Sequence, residues 1–147
     1  MDYREARKAD LDAILQLYTQ LNTNETPVSL ERAMEIWGRI ETDTRIKYFV
    51  ATDGDKIVSS CNIIIVPNLT RNGRPFAVIE NVVTDASCRR KGIARKVMNM
   101  ALDFARQNNC YKAQLLSGIK RSEAHKFYES MGFDGNSKKG FDMRLDL

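Results

Sequence analysis

The sequence predicts a mixed α/β domain in which helices cover both faces of a central sheet. Helical and strand periodicities alternate along the 147 residues in the order β-α-α-β-β-β-α-β-α-β. The middle β segments include a hairpin, which favours antiparallel pairing of neighbours. Because the chain contains no repeat, low-complexity stretch or internal linker, we expect residues 1–147 to form a single domain.

The N-terminal part is predicted to contain an edge strand and two helices. Residues 3–7 are short enough for an edge strand, and residues 9–22 place apolar side chains at helical spacing. The polar stretch 22–27 then interrupts the pattern. Ser29 is a suitable N-cap for a second helix, whose apolar face holds Ala33, Met34, Trp37 and Ile40.

Three strands are predicted in the centre of the chain. Residues 46–52 and 56–66 flank a turn at 53–55 that is rich in hairpin residues. After a polar loop, residues 76–84 read FAVIENVVT. This run is apolar except for Glu80 and Asn81, and two polar residues inside a buried strand require a purpose.

The C-terminal part returns to alternating helices and strands. The pattern predicts a helix over 92–108, a strand over 111–116 and a short helix over 122–131. Residues 141–147 alternate between apolar and polar side chains, which predicts a final strand.

Composition excludes several classes of protein. No stretch approaches the roughly 20 apolar residues that span a bilayer, and the N-terminus lacks an apolar signal segment. We therefore expect a cytoplasmic protein that does not bind membranes. The net charge of +4 is mild and does not call for nucleic acid.

The cysteines predict neither a metal site nor a disulfide framework. There are three, and their spacing matches no metal motif, so we expect reduced thiols and no bound metal. A catalytic Cys–His pair would need His125, the single histidine, and nothing in the sequence pairs it with a cysteine.

The basic run RRKGIARK at 89–96 is the strongest candidate for a ligand site. It follows a predicted strand and opens a predicted helix, where free backbone N–H groups and the helix dipole favour an anion such as a pyrophosphate. Gly92 leaves room for a phosphate to approach. Neither nucleotide motif, G-x-x-x-x-G-K-S/T or G-x-G-x-x-G, is present. From charge and spacing alone, a solvated basic helix start is an equal alternative.

The R-x-x-G-x-A pattern at 89–94 resembles the Q/R-x-x-G-x-G/A signature of the GNAT superfamily of N-acetyltransferases. A second block, EAHKFYESMGF at 123–133, resembles that superfamily's A-x-x-x-Y-x-x-x-G-F ending. The resemblance covers 76–133 and extends to the rest by element order. It implies a GNAT-like, mostly antiparallel sheet and an acetyl-CoA-dependent N-acetyltransferase. Residues 80–112 look somewhat like glucosamine-phosphate N-acetyltransferases.

The resemblance also implies a cofactor site. Backbone at Val82 and Val83 would bind the pantetheine arm, beside a strand that the superfamily often bulges. Arg121 stands where many relatives carry a cofactor-binding Asn; it contacts a phosphate instead, or nothing. The pyrophosphate would lie on the basic loop, formed by Arg89, Arg90, Lys91, Gly92, Ile93, Ala94 and Arg95.

Glu80 and Tyr128 are the catalytic candidates. Glu80 would act as the base, since an alkyl ammonium with a pKa of about 10 must lose a proton before attack; the alternative is an ion pair with a nearby Arg. By resemblance, Tyr128 would act as the acid or hydrogen-bond the thiolate; the alternative is a core aromatic. A non-catalytic sensor of coenzyme A would need neither residue.

The acceptor is less well defined by the sequence. We expect the primary amine of a small molecule, with an amino-sugar phosphate as the leading choice and a peptide or protein amine as an alternative. Four basic residues would suit an anionic acceptor or belong to solvated surface: Arg71, Arg74, Lys138 and Lys139. By analogy with relatives, the chain would form a homodimer.

Overall fold

The computed structural model describes residues 1–146. Over that range the chain forms one sheet with the strand order β1-β2-β3-β4-β5. Neighbouring strands are antiparallel, except that β4 and β5 run parallel. The predicted mixed, mostly antiparallel sheet is therefore confirmed. The strands are β1 (Asp2–Glu5), β2 (Ile46–Asp53), β3 (Lys56–Val66), β4 (Phe76–Thr84) and β5 (Ala113–Gln114).

The chain divides into two compact units, with the boundary after Gln114. Residues 1–114 contain the sheet together with three helices, and the residues from 115 onward contain the fourth. The helices are α1 (Leu11–Tyr18), α2 (Leu30–Glu41), α3 (Ile93–Gln107) and α4 (Ser122–Ser130).

Helices lie on both faces of the sheet within the first unit. Ile14 and Leu17 of α1 pack into a buried cluster with Val50 of β2. The neighbouring residue, Phe49, contacts Phe104 of α3 at a ring-centroid distance of 6.3 Å. Successive side chains of a strand point to opposite faces, so α1 and α3 cover opposite sides, as the sequence predicts.

Local polar contacts set where the first two helices begin. Ser29 accepts a hydrogen bond from the Arg32 amide at 3.1 Å, which confirms the predicted N-cap of α2. Ahead of α1, Arg4 of β1 forms a bidentate pair with Asp10 at 2.7 and 2.9 Å. The Arg4 guanidinium lowers the pKa of Asp10 below its ordinary value. This pair ties the edge strand to the start of the first helix.

Three predicted elements differ from the observed ones. The helix predicted over 9–22 is α-helical only from Leu11 to Tyr18, and the strand predicted over 111–116 pairs only at Ala113 and Gln114. Residues 141–146 form no strand, and residue 147 lies outside the described residues. Alternating polarity indicates a strand only where a second strand supplies hydrogen bonds, and the described part of the chain supplies none to 141–146.

Candidate active site

A β-bulge interrupts the pairing of β3 and β4 directly after Glu80. Ser60 pairs with Val83 and Asn62 pairs with Glu80, so Asn81 and Val82 together oppose the single residue between them on β3. Such an extra residue bends the strand and interrupts its hydrogen-bond ladder. The bulge lies where the resemblance to the GNAT superfamily placed one.

Asn81 adopts the left-handed backbone conformation at the bulge. Its φ angle is +53°, a region that Asn tolerates better than most residues other than Gly. The Asn81 side chain donates a hydrogen bond from Nδ2 to Oδ1 of Asn62 on β3, at 3.0 Å. Asn81, the second of the two polar residues inside β4, thus belongs to the bulge.

Glu80 is exposed on β4, immediately before the bulge. Within residues 1–146 its carboxylate has no hydrogen-bond or ion-pair partner. The structural alternative for Glu80, an ion pair with a nearby Arg, therefore finds no support in the described residues. A carboxylate that is open to solvent is able to attract a cationic amine.

The edge of β4 that faces β5 is open along most of its length. The two strands pair only at Ala77 and Val78, so over the described residues the part of β4 that contains the bulge has no strand on that side. Val82 is half-buried, whereas Val83 packs into the buried cluster under α1. Backbone groups at this open edge are placed to accept an extended ligand in the manner of an added strand.

The loop between β4 and α3 has the backbone of an anion site. Arg90 and Gly92 have φ angles of +62° and +76°, and Gly92 is the N-cap of α3. The first helical hydrogen bond runs from the Lys96 amide to the Gly92 carbonyl, so the amides of Ile93 and Ala94 precede it. Left-handed residues followed by helical ones turn successive N–H groups toward one point, which suits a phosphate.

Open space surrounds Gly92. A Cβ added to it would meet no atom within 4 Å. Its glycine identity is therefore explained by the backbone conformation and by the room that it leaves for a ligand, and not by crowding within the protein.

The basic side chains of the loop differ in their contacts. Arg89 donates from Nε to the Thr84 carbonyl at 3.2 Å, which ties the loop to the end of β4. Lys96 lies over the Tyr3 ring, 5.0 Å from its centroid. Lys91 and Arg95 are exposed. Arg89 therefore fastens the loop, and Lys96 fastens the first turn of α3, in addition to carrying charge.

Asp85 anchors the same loop from the buried side. It accepts hydrogen bonds from the Ser87 side chain and amide and from Gln20 at 2.6–2.9 Å, and Lys56 forms an ion pair with it at 3.1 Å. These bonds, from Ser87 first and then Gln20, hold the pKa of Asp85 well below its usual range. Gln20 in turn accepts from the Ala86 amide at 3.0 Å. The turn that follows α1 is thereby fastened to the candidate anion site.

Tyr128 belongs to the second unit and is buried on α4, 7% exposed. Its ring centroid lies 5.4 Å from that of Phe127 and 6.0 Å from that of Phe133. Arg121 is exposed at the N-cap of this helix. The sequence-predicted residues are thus divided: Glu80, Val82, Val83 and 89–95 lie in the first unit, and Tyr128 lies in the second.

The predicted anion-receiving arginines of the 67–75 loop have structural partners. Arg74 donates to the carbonyls of Asn109 and Cys110, both at 3.1 Å. The Arg71 guanidinium lies over the Tyr111 ring at 5.3 Å. Both residues therefore hold the loop against the segment that precedes β5.

Cys61 and Cys110 lack the environment of a nucleophile. Burial raises the pKa of Cys61 to about 12 and also raises that of Cys110, and a high pKa disfavours the reactive thiolate. His125 makes a 2.8 Å hydrogen bond to the Gly118 carbonyl through Nε2. Within residues 1–146 no three potential metal ligands of the His, Cys, Asp or Glu type come together. No helix over that range is long and apolar enough to cross a membrane.

A family model described as the acetyltransferase (GNAT) family matches residues 11–133. The chain belongs to the GNAT family. It is therefore a GNAT-type N-acetyltransferase. Residues 76–96 form its bulged strand β4 and its basic loop.

Individual relatives agree with the family model. The chain is 32% identical to the glucosamine 6-phosphate N-acetyltransferase of Trypanosoma brucei brucei over all of its length and 96% of that protein. It is similar to the structure of a putative acetyltransferase from Agrobacterium tumefaciens str. C58, with 40% identity, a TM-score of 0.92, and 98% and 99% of the two chains covered. A structure described as a transcriptional regulator from Bacillus halodurans C-125 has 30% identity and a TM-score of 0.87, with 98% and 99% covered.

Sequence reasoning missed three residues that shape this candidate site. Asn62 is a polar residue in the run NIIIV, and that interruption was a usable signal. Asp85 follows a strand directly, which is a common position for a capping carboxylate. Gln20 had no signal, because its contact with Asp85 joins residues 65 positions apart.

Proposed function

We propose that this protein transfers an acetyl group from acetyl-CoA to the primary amine of a small molecule, with an amino-sugar phosphate as the preferred class. One observation carries the proposal: a bulged strand with an open edge leads directly into a left-handed turn at the N-terminus of α3. An extended thioester and a pyrophosphate need those two features in that order.

This arrangement supports the following cofactor roles. Amides of the basic loop, Arg89 to Arg95, bind the pyrophosphate, and the exposed cations nearby add attraction. Backbone at Val82 and Val83 binds the pantetheine arm along the open edge of β4. An N–H group at the bulge, near Val82, polarises the acetyl carbonyl and stabilises the oxyanion that forms on attack.

Glu80 prepares the acceptor. An alkyl amine with a pKa of about 10 is mostly protonated at neutral pH. The exposed carboxylate of Glu80 attracts the ammonium group and accepts its proton, directly or through water. The neutral nitrogen then attacks the acetyl carbon, and the carbon–sulfur bond breaks as the tetrahedral intermediate collapses.

Tyr128 assists the departure of the thiolate. This role rests on the resemblance of α4 to the corresponding GNAT helix. A tyrosine hydroxyl has a pKa of about 10 and a thiol about 8.5, so complete proton transfer is mildly uphill in water. A hydrogen bond from the Tyr128 hydroxyl to the developing thiolate lowers the barrier without requiring complete transfer.

The amino-sugar phosphate is supported by the Trypanosoma relative, whose name specifies glucosamine 6-phosphate and which matches the whole chain. A peptide amine remains the second candidate. We also propose that the two units act as one N-acetyltransferase domain, since the family match at 11–133 extends across both.

Acetyl transfer is tested by following thiol release from acetyl-CoA with a panel of amines: glucosamine 6-phosphate, glucosamine, amino acids, polyamines, aminoglycosides and short peptides. We expect turnover with glucosamine 6-phosphate and a lower kcat/KM with glucosamine, which lacks the phosphate. Turnover with peptides alone would replace the acceptor class. Binding of acetyl-CoA without turnover of any amine would favour a sensor of coenzyme A.

The same assay tests Tyr128. We expect Tyr128→Phe to lower kcat roughly 10²–10³-fold while the affinity for coenzyme A stays the same, because the hydroxyl acts on the leaving group. Tyr111→Phe is the matched control, since it removes a hydroxyl and keeps the ring that Arg71 covers. Equal activity of the two variants would remove Tyr128 from the mechanism.

A further inference from the structure

The bulge on β4 depends on a residue in an unfavourable conformation. Asn81 holds a φ angle of +53°, which residues other than Gly adopt at a cost, although Asn adopts it more readily than most. Its position between the Asn62–Glu80 and Ser60–Val83 pairs means that this angle determines where the next amide, that of Val82, points.

A side-chain bridge provides that support from the neighbouring strand. Nδ2 of Asn81 donates to Oδ1 of Asn62 at 3.0 Å. Both residues are half-buried, so the bond is partly shielded from competing water. Asn62 is also anchored from its other neighbours, because it pairs with Tyr48 of β2 as well as with Glu80 of β4. Asn62, at the centre of the sheet, therefore holds the side chain of Asn81 at the bulge.

We propose that Asn62 is a positioning residue for acetyl transfer: through Asn81 it holds the bulge in the shape that aims the bulge N–H at the acetyl carbonyl. This inference rests on the proposed function. Asn62 itself does not touch the reacting atoms. A donor that must meet a developing oxyanion tolerates little displacement, and misplacement by about 1 Å costs roughly 10²-fold in rate.

The pair also explains why β4 contains Asn81 and not Gly at the bulge. Gly adopts a positive φ freely, but it also leaves that conformation freely. Asn adopts the same angle, and its side-chain amide is hydrogen-bonded to Asn62 on β3. The conformation at the bulge is therefore fixed once the two strands have paired. The chain uses an unbridged Gly at +61° in the 53–55 turn, where no catalytic amide follows.

The experiment is a double-mutant cycle of Asn62→Ala and Asn81→Gly, assayed for kcat, KM and the Kd of coenzyme A. Asn68→Ala is the matched control: Asn68 is also half-buried and donates three hydrogen bonds, at 3.0–3.2 Å, within the 67–75 loop. We expect Asn62→Ala to lower kcat roughly tenfold to a hundredfold, with the coenzyme A Kd and the pH–rate profile unchanged. In the Asn81→Gly background the same substitution is expected to have little further effect, because its partner is gone.

Amide hydrogen exchange of the free protein supplies a readout that needs no substrate. We expect exchange at Asn81, Val82 and Val83 to be faster in Asn62→Ala than in the wild type and the same in Asn68→Ala. This result separates failure of the bridge from failure of the proposed function, which would appear as a wild type without turnover. Unchanged exchange at the bulge overturns the proposal, and so does unchanged kcat or an equal loss of kcat in both backgrounds. A shift of the pH–rate profile would also overturn it, because Asn62 would then act on its neighbour Glu80.

Discussion

At the scale of single residues, the polar groups of β4 and its continuation have distinct environments. Glu80 is exposed without a partner among the described residues, Asn81 is bridged to Asn62, and Asp85 is enclosed by three hydrogen bonds and an ion pair. An open carboxylate is available for chemistry, whereas an enclosed one holds structure. Two carboxylates five residues apart are therefore expected to respond to substitution in different ways.

Glu80→Gln is expected to lower the rate of acetyl transfer at neutral pH roughly 10²–10⁴-fold, the usual effect of losing a general base. The rate of the variant should then follow the fraction of unprotonated amine, rising about tenfold per pH unit toward the amine pKa of about 10. The pH–rate profile measures this. Glu31→Gln on α2 is the control, and a Glu80→Gln profile that matches the wild type would exclude Glu80 as the base.

Asp85→Asn is expected to destabilise the protein at pH 7 by roughly 1–3 kcal/mol, the cost of disturbing buried hydrogen bonds to a charged group. The folded-state pKa of Asp85 is lowered relative to about 3.9 in the unfolded chain. The stabilisation by its charge is therefore present above pH 4 and is lost as the pH falls through the folded-state pKa. Urea unfolding should show that Asp85→Asn lowers the free energy of unfolding by less at pH 3 than at pH 7.

The control for Asp85 is Asp55→Asn in the exposed turn between β2 and β3. A surface substitution of this kind is expected to change stability by less than about 0.5 kcal/mol. A deficit for Asp85→Asn that stays the same from pH 7 to pH 3 would show that the charge of Asp85 does not stabilise the fold.

At the scale of elements, the connection from β4 to α3 combines a strand end, a left-handed turn and a helix start. Each part has its own local cause: the Arg89 contact with the Thr84 carbonyl, the positive φ of Gly92, and the free amides of the first turn of α3. The Gln20–Asp85 contact fastens this connection to the turn that follows α1. The element is therefore preorganised, which lowers the entropic cost of binding a ligand.

Gly92→Glu is expected to raise the coenzyme A Kd tenfold or more, roughly the effect of placing a carboxylate at a phosphate and losing its hydrogen bonds. Gly54→Glu is the matched control, because Gly54 also has a positive φ, of +61°, and open space at its Cβ. The two variants share the conformational strain and the added charge. Calorimetric titration with coenzyme A measures the difference, and equal affinities would refute the assignment of the loop.

At the scale of the whole molecule, the segment 141–146 has the pattern of a strand without a partner. Phe141, Met143 and Leu145 alternate along it and are 84%, 81% and 89% exposed. A row of exposed large apolar side chains is typical of surfaces that bind a protein, a membrane or a ligand. The homodimer expected from the resemblance would cover it with a second copy.

Phe141→Ser combined with Met143→Ser is expected to shift the protein from dimer to monomer, because the apolar area available to the partner falls. Light scattering after size exclusion measures the mass. Leu69→Ser is the control, since Leu69 is fully exposed in the 67–75 loop. A wild type that is monomeric at high concentration, or a double variant that stays dimeric, would contradict the use of this segment as the interface.

By itself the sequence determined the type and order of most elements, the basic loop at the start of α3 and the family. Those properties depend on local periodicity and on motifs of a few residues, which a single chain segment expresses without partners. The interior of β4 was recognisable only as an anomaly, through Glu80 and Asn81 in an apolar run.

Only the tertiary structure decided the register of the bulge, the Asn62–Asn81 bridge, the Gln20–Asp85 contact and the absence of a strand at 141–146. Each of these depends on which distant segment comes alongside. Strand register is set by pairing across the sheet, and a side-chain hydrogen bond exists only after two elements have packed. The residues can be read from the sequence, but which of them contact each other depends on the tertiary structure.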